Sequence, residues 1–207
     1  MAPGKHYQGQ DCSLARALEV VGERWTMLVL RDTLFGVRRF TDLLNRLDIP
    51  RAVLVERLTT LVDAGLLERR PYRPGRDEYL PTEPARALWP AIYALVQWSE
   101  QYRPAAGGPR RLYRHTACDG ADDADGGGPA RLGGTAPAPA RLGGTAPAPA
   151  RLGGTDLDAD GRCPNCRRYP DPAELETRPG PGSTPGWRDD PVSRALREPH
   201  QLLTPLP

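Results

Sequence analysis

Apolar positions define the first half of the chain. Over residues 11–21, Leu14, Ala17, Leu18 and Val21 recur at helical spacing, Asp11 or Ser13 can cap the start, and Gly22 ends the run. Residues 24–35 are apolar nearly all round and close at Gly36, the pattern of a helix buried at the centre of a small bundle. Thr41 can cap a short helix over DLLNRL, and after the turn LDIP a longer helix runs over residues 51–64 to Gly65. Two short helices joined by a tight turn make a helix-turn-helix. Residues 66–72 and 77–80 read as strands around RPGR, where Pro74 and Gly75 supply the turn, so a hairpin follows. Thr82 can cap a last helix over residues 84–102, bent early by Pro90. Leu88, Ile92, Leu95, Ser99 and Tyr102 form one stripe on it, with Trp89, Tyr93 and Val96 beside them. That surface is broader than one small domain needs, and burial between two copies would use it. The expected fold is mainly α with a small β-hairpin wing, a winged helix-turn-helix, assembled as a homodimer.

Beyond residue 103 the periodicity stops and composition takes over. Residues 104–207 hold 17 of the 24 prolines and 16 of the 22 glycines but only eleven Leu, Ile, Val or Phe residues. So little apolar area does not offset about 1–2 kcal/mol of backbone entropy per ordered residue, and a largely disordered Pro/Gly-rich C-terminal tail is expected. ARLGGTAPAP occurs at 130–139 and again at 140–149, and ARLGGT returns at 150–155, the composition of a flexible spacer. The chain therefore divides into a flexible N-terminus (1–10), a winged-helix domain (11–103), a low-complexity linker (104–162) and a mostly disordered tail (163–207). No run approaches the roughly 20 apolar residues of a membrane helix, and the N-terminus lacks the apolar core of a signal peptide. A cytoplasmic protein with reduced thiols is expected.

The net charge of +2 is uninformative, but the placement of the arginines is not. On the helix over residues 51–64, Val53, Leu54, Leu58, Leu61 and Val62 take the buried arc, leaving Arg51, Ala52, Val55, Glu56 and Thr59 opposite. Arg51 can reach guanine edges or phosphate, Thr59 either, and Ala52 or Val55 a thymine methyl; an ordinary solvated helix face has the same composition. Arg69, Arg70, Arg73 and Arg76 cluster on the wing, and Arg38, Arg39 and Thr41 precede or open the partner helix, positions suited to phosphate contacts. Helix, wing and charge together indicate double-stranded DNA as partner.

Cys12-Ser-Leu-Ala-Arg-Ala-Leu-Glu-Val-Val-Gly-Glu-Arg-Trp25-Thr, then RRFTDLL, VLVERL, LVDAGLLERR, EYLPTEPARAL and LVQWSEQY resemble the HxlR family of bacterial winged-helix transcriptional regulators over residues 11–103. The resemblance implies a dimer built on the first and last helices, with both recognition helices on a roughly palindromic operator. Pro50 stands where the family usually has a Ser-type cap, and Ala85 where it usually has Gly. A thiol at the place of Cys12 serves some relatives as a redox sensor, and helix N-terminal amides lower a thiol pKa; a structural Cys buried at the dimer interface is the alternative.

His115-x-x-Cys118 and Cys163-x-x-Cys166 offer four soft ligands as two knuckles, the pattern of a tetrahedral structural Zn2+ site. Similar RHxxC…CxxC tails occur in HxlR-like proteins. An unmetallated tail is the alternative, since 44 residues separate the knuckles and few apolar residues surround them. Residues 11–103 contain no His, and no nucleophile with its base, carboxylate pair or phosphate loop is visible, so catalysis is not expected. The reading is a sequence-specific DNA-binding transcriptional regulator; a protein-interaction adaptor using the winged helix and a zinc-binding tail is the alternative.

Overall fold

The computed structural model describes residues 7, 9–118, 154–184, 186 and 188–207; the repeats at 130–149 lie outside the described residues. The first half runs α1 (Ser13–Val21), α2 (Thr26–Leu34), α3 (Phe40–Leu47), α4 (Arg51–Asp63), β1 (Leu67–Arg73), β2 (Arg76–Pro81), α5 (Glu83–Ala87) and α6 (Trp89–Tyr102). This is a helical unit with an antiparallel hairpin, the winged helix-turn-helix that the periodicity predicts. Helix α2 is its centre: Val29, Leu30 and Leu34 are fully buried and share one core with Leu43, Leu54, Leu58, Leu61 and Leu67. Asp48, in the left-handed conformation, ends α3, and the buried Ile49 anchors the turn into α4.

Several local expectations are corrected. None of α1, α3 and α5 has a side-chain cap: Cys12 and not Asp11 or Ser13 holds the N-cap position of α1, and α3 begins ahead of Thr41, with Arg39 at its N-cap position. Thr82 does precede α5, but its hydroxyl donates to the carbonyls of Gly65 and Leu66 (2.7 and 3.0 Å) and so ties α5 to the start of the wing. The expected bent helix over residues 84–102 is two helices meeting at Leu88. Pro90 has no N–H to extend the first of them, and is accommodated in the first turn of the second. The expected single stripe also splits. Trp89, Ile92 and Tyr93 are buried, whereas Leu95, Trp98 and Tyr102 are exposed, as are Leu14 and Leu18 on α1.

The main correction concerns the C-terminal half. Residues 111–115, expected in a linker, form β3 (Arg111–His115). Residues 163–207, expected as a mostly disordered tail, carry a 3-10 turn (Pro172–Glu174), β5 (Leu175–Pro179), α7 (Pro191–Ala195) and β6 (His200–Gln201). With β4 (Thr155–Asp156) they complete an antiparallel sheet in the order β4-β3-β5-β6.

So few apolar residues suffice because this half builds no core of its own. Tyr113, Leu175, Val192, Leu196 and Leu202 are buried in the same cluster as α2. Tyr113 meets Phe35 (ring centroids 6.4 Å), Trp89 (5.2 Å) and Tyr93 (5.6 Å), which joins β3 to α2 and α6. The C-terminal segment supplies acceptor-satisfying amides to the end of α2: Leu203 N–H donates to the Leu34 carbonyl (2.8 Å) and Leu206 N–H to that of Gly36 (3.1 Å). Gly36 is at φ +89°, and a Cβ there would collide with the Thr204 carbonyl, so the glycine is required by this crossing as well as by the helix end.

Removing the Leu202 side chain therefore leaves a cavity in the shared core. Leu202→Ala is expected to lower the stability of the winged helix by about 2–5 kcal/mol, read from chemical denaturation of the full chain. A change within experimental error would mean that the C-terminal segment does not pack on that core.

Candidate functional site

Helix α4 places the expected recognition face outward. Leu54, Leu58 and Leu61 point into the core, while Arg51, Ala52, Val55 and Thr59 are exposed. The Arg51 guanidinium lies over the Phe40 ring at 4.8 Å, which restrains it at the start of α4. Arg57, absent from the sequence reading of the face, is buried in the inner arc and paired with Glu23 (3.4 Å) and Glu56 (2.7 Å). Only its neighbours, one of them 34 positions away, make a buried arginine tolerable.

The hairpin brings the wing arginines to one exposed projection, with Gly75 at φ +68° in the turn and a bulge between Pro71 and Arg73. Their electrostatic states differ. Arg69 is held by Asp77, and Arg70 by Glu68 at 3.2 Å. Arg73 and Arg76, nearest the tip, have no carboxylate partner among the described residues. Arg39 is exposed and stacks on Tyr72 of the wing (5.4 Å), and the bridge between Arg39 and Glu78 docks the hairpin on the start of α3. Thr41 is exposed there too. Arg38 stands apart: half-buried, it donates to the Leu203 carbonyl at 2.8 Å, so the C-terminal segment occupies a guanidinium expected at DNA.

The four candidate metal ligands, separated by up to 51 positions, come together. His115 ends β3, Cys118 follows it, and Cys163 and Cys166 lie on a turn closed by Arg167 N–H to the Cys163 carbonyl (2.8 Å) and Cys163 N–H to that of Arg168 (2.9 Å). Their ligand atoms all lie within 4.8 Å of one another, and the His115 Nδ1 to Cys166 Sγ distance is 3.7 Å. A tetrahedral ion with bonds of about 2.0–2.3 Å sets its donors roughly 3.3–3.8 Å apart, so this set can hold one. His115 and Cys163 are fully buried.

Burial pushes the Cys163 thiol up. For Cys166 burial acts in the same direction, but the hydrogen bonds around it, Arg168 first, outweigh it and bring the thiol down. Sequence alone did not indicate Glu174, whose carboxylate lies 3.4 Å from His115 Nε2 and also accepts from Asp171 N–H. A carboxylate on the far nitrogen is the arrangement that orients a ligating imidazole. Arg167 takes the left-handed conformation (φ +60°) that a knuckle usually gives to glycine. The loop leading to the knuckle rests on α6, with Tyr93 O–H donating to the Asp158 carbonyl at 3.0 Å. Cys12 is exposed in the single chain at the start of α1.

Residues 20–106 match the model of the HxlR-like helix-turn-helix family. An HTH-type transcriptional regulator of Mycobacterium tuberculosis, itself uncharacterized, is 51% identical over 108 residues, covering 51% of this chain and 68% of that protein. The chain belongs to the HxlR-like family. The chain is also similar to uncharacterized HTH-type transcriptional regulators of Methanothermobacter thermautotrophicus (32% identical over 106 residues, 46% of this chain and 81% of that one) and Bacillus subtilis (YkvN, 32% over 95 residues, 44% and 80%). All are named transcriptional regulators of the helix-turn-helix type, the class to which this HxlR-like chain belongs. No helix among the described residues is long and apolar enough to cross a membrane.

Proposed function

We propose that this regulator binds double-stranded DNA as a homodimer on a roughly palindromic operator, and that its C-terminal half is clipped by a structural zinc ion. The observation that carries the DNA reading is the exposed face of α4 beside a wing whose Arg73 and Arg76 have no carboxylate partner among the described residues. Arg51, Ala52, Val55 and Thr59 would meet base edges, and Arg39, Thr41, Arg69, Arg70, Arg73 and Arg76 the phosphates. Arg69 and Arg70 must leave their carboxylates to do so, which makes the tip arginines the stronger phosphate contacts. The exposed apolar residues of α1 and α6 support the dimer: Leu14, Leu95, Trp98 and Tyr102 are each more than half accessible in the single chain.

Zinc suits the donor set because thiolates and an imidazole at tetrahedral spacing favour it, and a closed four-ligand site supplies folding energy and no open position for chemistry. The residues' part is to hold β3 and the Cys163 turn together, with Glu174 orienting His115.

Titration of the full chain onto a fragment of its own promoter tests the DNA reading. The expected result is two chains per site, Arg51→Ala costing about 1–3 kcal/mol of discrimination between operator and random DNA, and Arg73→Ala reducing the salt slope by about one. Binding unaffected by either substitution would exclude this surface. For the metal, protein purified without chelator should carry one zinc per chain, and Cys163→Ser should lose it together with thermal stability. A wild-type zinc content near zero would overturn the clip.

A further inference from the structure

A cavity of about 680 Å³ lies where α2, α3 and β3 meet α7, and a second of about 270 Å³ shares its wall of Arg31, Arg46, Arg110 and Arg111. Six arginines and no carboxylate line the larger one. Most of those charges have a carboxylate partner. Asp32, fully buried, pairs with Arg31 (2.7 Å) and Arg46 (3.1 Å), while Glu100, Asp48 and Asp189 pair with Arg110, Arg188 and Arg197.

Arg111 is the exception. Its two Nη groups donate to the Leu196 carbonyl (3.0 and 2.8 Å), its Nε is buried without an acceptor, and no carboxylate pairs with it among the described residues. Its guanidinium lies 5.5 Å from the Phe35 ring, and that of Arg31 lies 5.9 Å from the same ring. Burial pulls its pKa down to about 10, below the usual arginine range, with Arg46 and Arg31 adding to the fall and Tyr113 and Asp32 opposing it. A partly buried arginine next to like charges, whose one hydrogen-bond acceptor is a neutral carbonyl and whose nearest anion, Asp32, is already shared by Arg31 and Arg46, gains from a further anion. The smaller cavity supplies the complement of an anionic head: Phe35, Val96 and Tyr113 line it beside the same arginines, and its one carboxylate, Glu100, is paired with Arg110. A few convergent polar groups on an apolar wall, at the seam of two structural units, is the anatomy of a small-molecule site.

We propose that this arginine-walled cavity binds an amphiphilic organic anion, its carboxylate at Arg111 and Arg46 and its aromatic body against Phe35, Val96 and Tyr113. The site is built from both halves of the chain. Arg31 and Arg46 come from α2 and α3 of the helix-turn-helix unit, Arg111 from β3, and Ser193 of α7 accepts from Arg46 at 3.1 Å. A ligand there bears directly on the first helix of the DNA-reading pair, which is how an effector would act on it; binding itself needs no DNA, so it can be measured independently of the DNA reading.

The test is calorimetric titration of the full chain, without DNA and at fixed ionic strength, with benzoate as probe, benzamide as its neutral counterpart and inorganic phosphate as a head group without a body. Benzoate should bind saturably, benzamide should not, and phosphate should bind more weakly than benzoate. Arg111→Gln should weaken benzoate about tenfold or more, the worth of one charge-assisted hydrogen bond. Ser99→Glu, on the half-buried helix face lining the smaller cavity, places a second carboxylate beside Glu100 among the arginines without removing any of them and should abolish binding. It decides the matter should Arg111→Gln fail to fold. Benzoate binding no tighter than benzamide or phosphate, or unchanged in the folded variants, would overturn the proposal.

Discussion

The structure depends on the burial of α2 from two sides. A helix apolar nearly all round cannot be covered by α3, α4 and the wing alone, and the remaining cover is β3, β5 and the C-terminal segment, through Tyr113, Leu175 and Leu202. The backbone follows the same logic, since the carbonyls of Leu34 and Gly36 at the end of α2 take their donors from Leu203 and Leu206. What composition presents as a regulator with an appended tail is one core assembled from both ends of the chain.

This arrangement relates the functional surfaces to one another. The outer face of α4 and the wing remain free, while the inner side of α2 and α3 is braced by the C-terminal half through Arg46 and Arg38. The loop leading to the thiol cluster leans on Tyr93 of α6, the helix that also exposes Leu95, Trp98 and Tyr102. The His/Cys cluster, the arginine cavity and the exposed apolar face of α6 thus all adjoin elements packed on the helix-turn-helix core.

Periodicity made the helices, the wing and the outward face of α4 legible because each is a local pattern with a strong hydrophobic stripe. It misplaced the caps and the break at Leu88, where tertiary partners such as the Gly65 and Leu66 carbonyls outweigh local preference. The C-terminal half was misread for a different reason: eleven large aliphatic or Phe residues in 104 cannot make a core, but they need only finish one. The candidate metal ligands were visible as two knuckles. Glu174 and the counter-ion state of Arg111 were not, because both depend on pairings made across the sheet and the seam. Asp32 likewise reads as one polar residue in an apolar helix until Arg46 is brought beside it.

Hydrogen exchange on the full chain tests the single shared core most directly. The amides of Leu203 and Leu206, bonded to Leu34 and Gly36, should exchange as slowly as those of Leu30 and Leu34 inside α2 and should lose protection with them in one transition. Exchange of Leu203 and Leu206 at the rate of an unstructured peptide, while α2 stays protected, would contradict it.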